Sequence, residues 1–349
     1  MINPQGTTIS VVTGATSGIG KETASNLLRA GHRVILACRN QRVGDATAAQ
    51  LTRECIIADT FAKCVELDLS NMQSVRSFGD RLVKEFPAVL EEGIHNLINN
   101  AGKGWGTQTT ERILTRDGYE SFFQVNYLGH FALTFTLLPY LLRGGQNTGV
   151  NSRIINVSSS LHDPEGRGNR NTKVDLQFND LNAREEVPFQ PKSAYCRSKL
   201  AQIMFTYALQ NKFRHYRLPV ICSCLNPGFI PSTNLIRDSG MMGKLFLRYC
   251  LDGILKICCS VTRSVEDGGV CVYLVTTAEE CGEGGQYFEY LRSKSLNVHS
   301  SSTDSYNENM QTELFNKSWA LIATHGVNSP DWSKWEQKYG DDGGTDNLQ

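Results

Sequence analysis

Strand-like and helix-like segments alternate along this chain, and that alternation limits its fold more than any other feature. Short runs rich in β-branched residues are each followed by a Gly-rich turn or an amphipathic stretch. The predicted strands cover 9–13, 34–37, 63–67, 94–98, 153–157 and 219–225. This order is typical of a parallel sheet with helices on both faces. We therefore expect an α/β fold with a single Rossmann-type, doubly wound parallel sheet.

The predicted helices cover 21–29, 70–86, 119–142 and 193–213. In the second of these, apolar residues recur on one face, and Ser70 is predicted to be its N-cap. Two segments interrupt the alternation. Residues 162–190 are rich in Gly, Asn, Asp and Arg, and we expect a long surface loop there. Residues 241–261 are apolar with scattered Lys and Arg, which leaves two alternatives: an amphipathic lid or membrane-surface helix, or a helix that covers the sheet edge.

Composition excludes several classes of protein. The 349 residues carry 35 Lys+Arg and 35 Asp+Glu, so the chain lacks the basic excess of a nucleic-acid binder. Its 11 cysteines are scattered without zinc spacing, which predicts buried thiols in a reducing cytosol and no metal site. No signal peptide is seen, and the longest apolar stretch, 131–142, is short for a bilayer span. We expect a cytoplasmic protein with one domain, 1–325, and a polar tail, 326–349.

A glycine-rich turn directly follows the first predicted strand. Residues 13–20 read Thr-Gly-Ala-Thr-Ser-Gly-Ile-Gly, so the glycines are spaced G-x-x-x-G-x-G. Glycine lets the backbone turn tightly and approach a diphosphate, while the N–H groups of the following helix attract its charge. The turn therefore predicts a dinucleotide site. Its predicted cofactor-binding residues are Gly14, Thr16, Ser17, Gly18, Ile19 and Gly20.

The end of the second strand predicts which dinucleotide binds. In dinucleotide folds a carboxylate at this place reads a ribose 2′-hydroxyl, whereas a cation reads a 2′-phosphate. Here the strand ends in Ala-Cys-Arg, with Arg39 and no acid. Because a guanidinium forks onto phosphate, Arg39 favours NADP(H) over NAD(H).

Two further strand ends contribute to the predicted cleft. Asp68, beside Leu69, either faces the adenine amino group or helps to start the next helix. The fourth strand leads into Asn100, Ala101 and Gly102, where small residues let the backbone lie against the adenosine ribose.

A tyrosine and a lysine four residues apart mark the predicted chemical end of the cleft. Tyr195 and Lys199 lie on one face of a predicted helix. The spacing alone is weak evidence, since Tyr290 and Lys294 repeat it. The pair at 195, however, follows a strand that ends with Ser159, and ligands of open α/β sheets bind at the carboxyl ends of the strands.

Together these motifs resemble those of the short-chain dehydrogenase/reductases. The glycine turn, residues 99–102, the sequence Val-Asn-Tyr-Leu-Gly-His-Phe at 125–131, the serine, the Tyr/Lys pair and Pro-Gly at 227–228 follow the family's order over roughly residues 7–290. Residues 37–39, 126–131 and 194–201 look most like the retinol-dehydrogenase-like branch. The resemblance implies an NADP(H)-dependent enzyme that interconverts a lipophilic aldehyde, retinoid or steroid carbonyl and its alcohol.

The resemblance also implies roles for individual residues. Tyr195 would be the general acid or base of a hydride transfer. Lys199 would hold the nicotinamide ribose and, with the positive nicotinamide, lower the phenol pKa. Ser159 would donate to the substrate carbonyl oxygen.

Three more site residues come from the resemblance. Asn126 would support a water chain to the lysine, with the alternative that it only satisfies local backbone groups. Pro227 and Gly228 would line the cofactor cleft. For His130 we expect packing or surface exposure rather than catalysis.

One spacing departs from the family pattern. Ser159 and Tyr195 are 36 positions apart, farther than the family's usual spacing, so an excursion is expected beside the active-site mouth. The expected partner is a small lipophilic substrate. The oligomeric state is left open, although the Tyr195 helix is a common dimer face in the family that this chain resembles. A membrane surface is one alternative for 241–261, within a lid at about 230–262. The alternatives are a catalytically idle NADP-binding scaffold, a protochlorophyllide-reductase-like enzyme, and an epimerase, which the glycine spacing disfavours.

Overall fold

A computed structural model describes residues 8–105, 110–166, 169, 172–230, 263–290, 296–327 and 329–332. Its strands are β1 Ile9–Thr13, β2 Arg33–Cys38, β3 Ala62–Glu66, β4 Asn96–Asn99, β5 Ser152–Val157, β6 Val220–Asn226, β7 Tyr287–Tyr290 and β8 Leu296–His299. They form one sheet in the order β3-β2-β1-β4-β5-β6-β7-β8. β1 to β7 run parallel, and β8 pairs antiparallel with β7. The predicted parallel sheet is confirmed, with an unpredicted antiparallel edge strand.

Eight α-helices pack on this sheet within the described residues. They are α1 Gly18–Arg29, α2 Gln41–Glu54, α3 Met72–Arg76, α4 Phe78–Glu85, α5 Gly129–Thr148, α6 Pro191–His215, α7 Val265–Thr277 and α8 Glu308–Ala323. A π-helical turn, Phe123–Leu128, runs directly into α5. Sequence reasoning identified α1, α5 and α6 but gave no element at α2, α7 or α8.

The helix predicted over 70–86 is two helices. The backbone leaves helical geometry at Ser77, which separates α3 from α4. The N-cap is Asn71, whose Oδ1 accepts two N–H groups of the first turn at 3.0 and 3.3 Å. Ser70 does not cap the helix, because its hydroxyl donates to Asp68 Oδ1 at 2.6 Å.

The chain order reverses in the middle of the sheet. β1 lies between β2 and β4, so the crossovers on its two sides run in opposite directions. In open α/β sheets the crevice at such a reversal, outside the carboxyl ends of the strands, is where ligands bind. The turns that follow β1, β2, β4, β5 and β6 meet at this edge, and they carry many of the cofactor-binding residues predicted from sequence.

The two faces of the sheet are covered by different side chains. On the aliphatic face, under α1, α2 and α7, the buried hydrophobic side chains are aliphatic or cysteine apart from Phe288. There α1 and α7 approach closely, because a Cβ on Gly269 would lie only 2.4 Å from Glu22 Cβ. On the aromatic face, under α5, α6 and α8, rings pack on rings. The Phe131 ring centroid lies 5.0 Å from that of Phe205 and 5.4 Å from that of Phe315.

Helix α8 covers part of α6, the helix that carries Tyr195. Every residue of α6 from 193 to 207 is buried in the described structure. The rings of Phe315 and Trp319, both from α8, contact those of α5 and α6. The chain's own carboxyl-terminal helix thus covers part of the Tyr195 helix, and a homodimer through that helix stays a prediction.

The longest apolar helix and the predicted polar tail are both packed, at least in part, against the rest of the fold. Among the described residues, one helix, Phe123–Thr148, is long and apolar enough to span a bilayer, and 78% of its apolar window is buried inside the fold. Of the predicted polar tail, 326–349, the structure describes 326, 327 and 329–332. Val327 is buried, and the Trp332 ring stacks on Tyr216 with centroids 5.4 Å apart. Residues 231–262 and 333–349 lie outside the described residues, and so do the predicted lid and the segment 241–261.

Candidate active site

The glycine-rich turn between β1 and α1 has the conformation that its sequence predicts. Gly14 and Gly18 have φ angles of 68° and 55°, in the left-handed region that favours glycine. A Cβ on Gly20 would lie 2.4 Å from Asn100 Nδ2 and 2.6 Å from the Gly14 carbonyl oxygen. Ser17, at the N-cap of α1, has extended backbone and makes no side-chain capping bond. The turn thus leaves the start of α1 facing the crevice, as a diphosphate site requires.

The ends of β1 and β4 are held together beside this turn. Thr13 Oγ1 accepts from the backbone N–H groups of Asn100 and Ala101, both at 2.9 Å. The Asn100 amide in turn donates to the Thr13 carbonyl oxygen at 2.9 Å. Residues 100–102 therefore lie along the crevice, where they were predicted to meet the cofactor.

The predicted specificity residues lie at the far end of the crevice. Arg39 follows β2 directly, is exposed, and forms no ion pair with any residue that the structure describes. The Asp68 carboxylate accepts the N–H and hydroxyl groups of Ser70 at 3.0 and 2.6 Å. Of the two alternatives for Asp68, these contacts favour a part in starting the next helix. Leu69 is buried against the glycine that starts α5.

Tyr195 lies in an aromatic enclosure. Its ring centroid is 4.9 Å from that of Trp105 and 6.4 Å from that of Phe122, and the side chain is 3% exposed. Burial raises the pKa of the phenol above its usual value, and a hydrogen bond with the Ser159 side chain opposes that shift. The lowering that the family resemblance implies depends on Lys199 together with the positive nicotinamide. The loss of hydration is the largest cause of the shift.

Lys199 lies one helical turn beyond the tyrosine. Its Nζ is 5.8 Å from the Tyr195 ring centroid, and it donates to the Val157 carbonyl oxygen and to Gln202 Oε1, both at 2.9 Å. Burial lowers the pKa of its ammonium to about 7. At neutral pH this group can therefore either hold or release a proton.

The two serines at the end of β5 have different contacts. Ser158 donates its hydroxyl to the backbone carbonyl of Lys199 at 3.0 Å, which fastens β5 to α6. Ser159 instead meets the Tyr195 side chain. Ser159, the serine predicted from sequence, is thus the one that lies next to the tyrosine.

Asn126 joins the loop after β4 to α6. Its Nδ2 donates to the Lys103 carbonyl oxygen at 3.0 Å and to Ser198 Oγ at 2.9 Å, and its Oδ1 accepts the Lys103 N–H at 2.7 Å. A Cβ on Gly102 would lie 3.6 Å from Asn126 Oδ1 and 3.8 Å from Lys199 Nζ. The open space beside this glycine therefore borders both catalytic candidates.

The turn after β6 closes the crevice. Gly228 has a φ angle of 89° and follows the buried Pro227. Its N–H donates to Asn226 Oδ1 at 3.1 Å, and a Cβ here would lie 2.6 Å from Arg263 Cγ. Both predicted residues thus stand at the expected edge of the sheet.

Comparisons with known proteins agree with this geometry. A family model described as short chain dehydrogenase matches residues 8–167. Human retinol dehydrogenase 13 is 34% identical over 285 residues, which cover 81% of this chain and 76% of that protein. The chain belongs to the short-chain dehydrogenase/reductase family, in its retinol-dehydrogenase-like branch. It is thus an oxidoreductase of the family that acts on CH–OH groups.

Other relatives of this short-chain dehydrogenase/reductase extend the comparison. Human polyprenol dehydrogenase is 31% identical over 333 residues, which cover 93% of the chain and 88% of that protein. An uncharacterised protein from Mycobacterium paratuberculosis has a solved structure with a TM-score of 0.66 and 28% identity, covering 93% and 95% of the two chains. The NADP complex of RhlG from Pseudomonas aeruginosa, at 20% identity and a TM-score of 0.58, covers 82% and 96% and shares the fold.

Sequence reasoning missed several residues around this site. Trp105 and Phe122 have no local pattern that places their rings against Tyr195, because the contacts join segments far apart in sequence. His162 was not singled out either. Its Nδ1 bonds to the Ser159 carbonyl oxygen at 2.7 Å and its Nε2 to the Ser302 N–H at 3.0 Å. The carboxyl-terminal segment therefore supports the backbone of the serine.

Proposed function

We propose that this chain is an NADP(H)-dependent oxidoreductase that interconverts a lipophilic carbonyl and its alcohol. The observation that carries the proposal is the juxtaposition of three side chains: Ser159 lies next to the Tyr195 phenol, and the buried Lys199 Nζ lies 5.8 Å from the Tyr195 ring centroid. A donor, a proton-transfer group and a cation then surround one point at the carboxyl edge of the sheet.

The residues present fit a nicotinamide dinucleotide. Gly14, Gly18 and Gly20 keep the backbone of the first turn open to a diphosphate, and Gly102 leaves space against Lys199 and Asn126. When bound there, the nicotinamide would supply or accept the hydride.

The chain's own residues supply the proton and hold the substrate. Burial keeps the pKa of the Tyr195 phenol above its usual value, which favours the protonated form that donates to a carbonyl oxygen during reduction. Ser159 donates to the same oxygen where negative charge develops. Because the pKa of Lys199 lies near 7, this side chain can return a proton to the tyrosine after each turnover.

The preference for NADP(H) rests on Arg39. This guanidinium is exposed at the end of β2, and none of the described carboxylates pairs with it, so it is available to a 2′-phosphate.

The lipophilic substrate class rests on the rings around the phenol. Trp105 and Phe122 line Tyr195 with apolar surface, which favours a hydrocarbon next to the reacting carbonyl. The names of the relatives, retinol dehydrogenase and polyprenol dehydrogenase, are those of enzymes for long apolar alcohols. We propose the same class here, with retinal, medium-chain aldehydes and keto-steroids as the first candidates. A peripheral membrane contact through 241–261 and a cytoplasmic location remain proposals.

The test is NADPH consumption with a panel of retinal, medium-chain aldehydes and keto-steroids. We expect turnover with at least one of them, and Tyr195→Phe should lower kcat by roughly 10²–10⁴-fold. Tyr207→Phe is the matched control, since Tyr207 is a buried residue of the same helix whose hydroxyl bonds to Ser301 instead.

Two results would contradict the proposal. NADPH binding without turnover of any carbonyl would favour the idle scaffold. Full activity of Tyr195→Phe would show that another group transfers the proton.

A further inference from the structure

His130 is a buried histidine that bonds to Thr13, beside the proposed cofactor site, and to Asn126, beside the proposed catalytic residues. The side chain is 1% exposed. Its Nε2 lies 3.0 Å from Thr13 Oγ1, and its Nδ1 lies 3.0 Å from the backbone carbonyl oxygen of Asn126. From sequence alone, this residue is predicted to pack in the core or lie at the surface and to take no part in catalysis.

The partners of the ring determine where its proton lies. A backbone carbonyl oxygen only accepts, so Nδ1 must carry the proton that bonds to Asn126. Nε2 is then an acceptor. The single proton of the Thr13 hydroxyl faces Nε2 at 3.0 Å and the Ile98 carbonyl oxygen at 3.3 Å, so the shorter contact favours donation to the ring. That hydroxyl already accepts from the N–H groups of Asn100 and Ala101, so one donated and two accepted hydrogen bonds saturate it.

A second proton on the ring would disrupt this arrangement. A protonated Nε2 would point at the Thr13 oxygen, both lone pairs of which are already used. Thr13 would then have to release Asn100 or Ala101. Burial, with a smaller contribution from Lys199, lowers the pKa of His130 to about 4, in agreement with a neutral ring.

The chain of hydrogen bonds joins two groups of residues with different tasks. At one end, Thr13 fixes the strand end that is proposed to line the cofactor. At the other end, Asn126 ties the loop after β4 to Ser198, which is next to Lys199. We propose that His130 is a positioning residue that keeps these two groups in one geometry, so that cofactor affinity and turnover both depend on its neutral ring.

The first experiment compares His130→Leu with His130→Gln, a variant that keeps one donor and one acceptor. NADPH affinity is measured by fluorescence titration, together with kcat, KM and the thermal midpoint. We expect His130→Leu to weaken NADPH at least tenfold and to lower kcat, and His130→Gln to restore part of both. The matched control is His32→Leu. His32 is also buried, and it bonds to Ser10 near the amino end of β1, away from the proposed site.

The second experiment breaks the chain at its other end. Thr13→Val removes the hydroxyl at nearly constant volume, and Thr13→Ser keeps it. We expect the valine variant to lose NADPH affinity and the serine variant to regain most of it. The double variant Thr13→Val, His130→Leu should lose less than the product of the two single effects, since both break the same chain. If His130→Leu does not fold, the Thr13 pair carries the test.

The inference rests on the proposed function, because NADPH is the ligand of both. The outcomes of these experiments distinguish a failure of the inference from a failure of the proposed function. Wild-type protein that does not bind NADPH contradicts the proposed function. The inference is overturned if the wild type binds NADPH but His130→Leu changes the NADPH affinity no more than His32→Leu does. His130 would then contribute stability alone.

Discussion

The aliphatic and the aromatic face of the sheet are covered by similar helices but by different side chains. On the aliphatic face, glycine lets α1 and α7 approach each other closely beside the turn that is proposed to bind the diphosphate. On the aromatic face, large rings enclose Tyr195 and exclude water from it. Close backbone approach suits the binding of a charged group by N–H dipoles. An enclosure of rings shifts the pKa values of the groups that transfer the proton.

The largest expected effect tests whether α8 completes the aromatic face. Phe315 is buried against Phe131, Phe135 and Phe205. Phe315→Ala should lower the free energy of unfolding by about 3–5 kcal/mol, because it leaves a cavity among the rings. Urea denaturation measures this.

Phe315→Leu is the control for that variant, since it keeps most of the volume and should cost far less. An alanine variant as stable as the wild type would show that α5 and α6 form the aromatic face without α8.

The next effect tests the assignment of cofactor selectivity to the turn after β2. Arg39→Asp should weaken NADPH binding by roughly 1.5–3 kcal/mol, the contribution of a hydrogen bond to a charged group. NADH binding should not weaken, because a carboxylate can accept from a 2′-hydroxyl. Fluorescence titration with both cofactors measures the difference.

Arg53→Asp is the charge-matched control, because Arg53 is exposed in the last turn of α2. Equal losses of NADPH affinity in the two variants would mean that overall charge, and not Arg39, selects the phosphate.

The smallest effect compares one buried histidine from each side of the sheet. Burial lowers the pKa of His32, after α1, and of His130, in α5, to about 4. The unfolded chain takes up these protons near pH 6.5, so their contribution to stability is present above that pH and is lost as the pH falls towards 4. We expect up to about 2 kcal/mol of lost stability per histidine at pH 5.

Urea denaturation at pH 7.5, 6 and 5 checks this expectation, and a glutamine at either position should flatten the profile. If only one of the two variants does so, the histidine that has no effect is already protonated or hydrated in the folded protein.

Local sequence patterns were sufficient for the cofactor end of the molecule. The glycine turn and the strand before it depend on neighbours within a few residues, whereas the Tyr195/Lys199 pair needed the preceding strand and Ser159 to distinguish it from Tyr290 and Lys294. Local patterns gave a wrong prediction where two neighbouring residues could both cap the same helix. At the start of α3, Ser70 and Asn71 are both good caps, and the bond from Ser70 to Asp68 decided between them.

The enclosure of the active site could not be obtained in this way. Trp105 and Phe122 meet Tyr195 across more than 70 positions of sequence. Helix α8 follows the last motif of the family pattern, and no pattern in the chain indicates that it covers α6. Both arrangements depend on which surfaces the folded sheet leaves open.

The sequence by itself determined the parallel α/β architecture and the glycine turn after β1, and it named the candidate reacting side chains, because these depend on local backbone geometry and periodicity. Only the tertiary structure decided the raised pKa of Tyr195, the pKa of Lys199 near 7, and the neutral ring of His130 between Thr13 and Asn126. The physical reason is that hydration and hydrogen-bond saturation depend on everything packed around a group, and those neighbours come from distant parts of the chain.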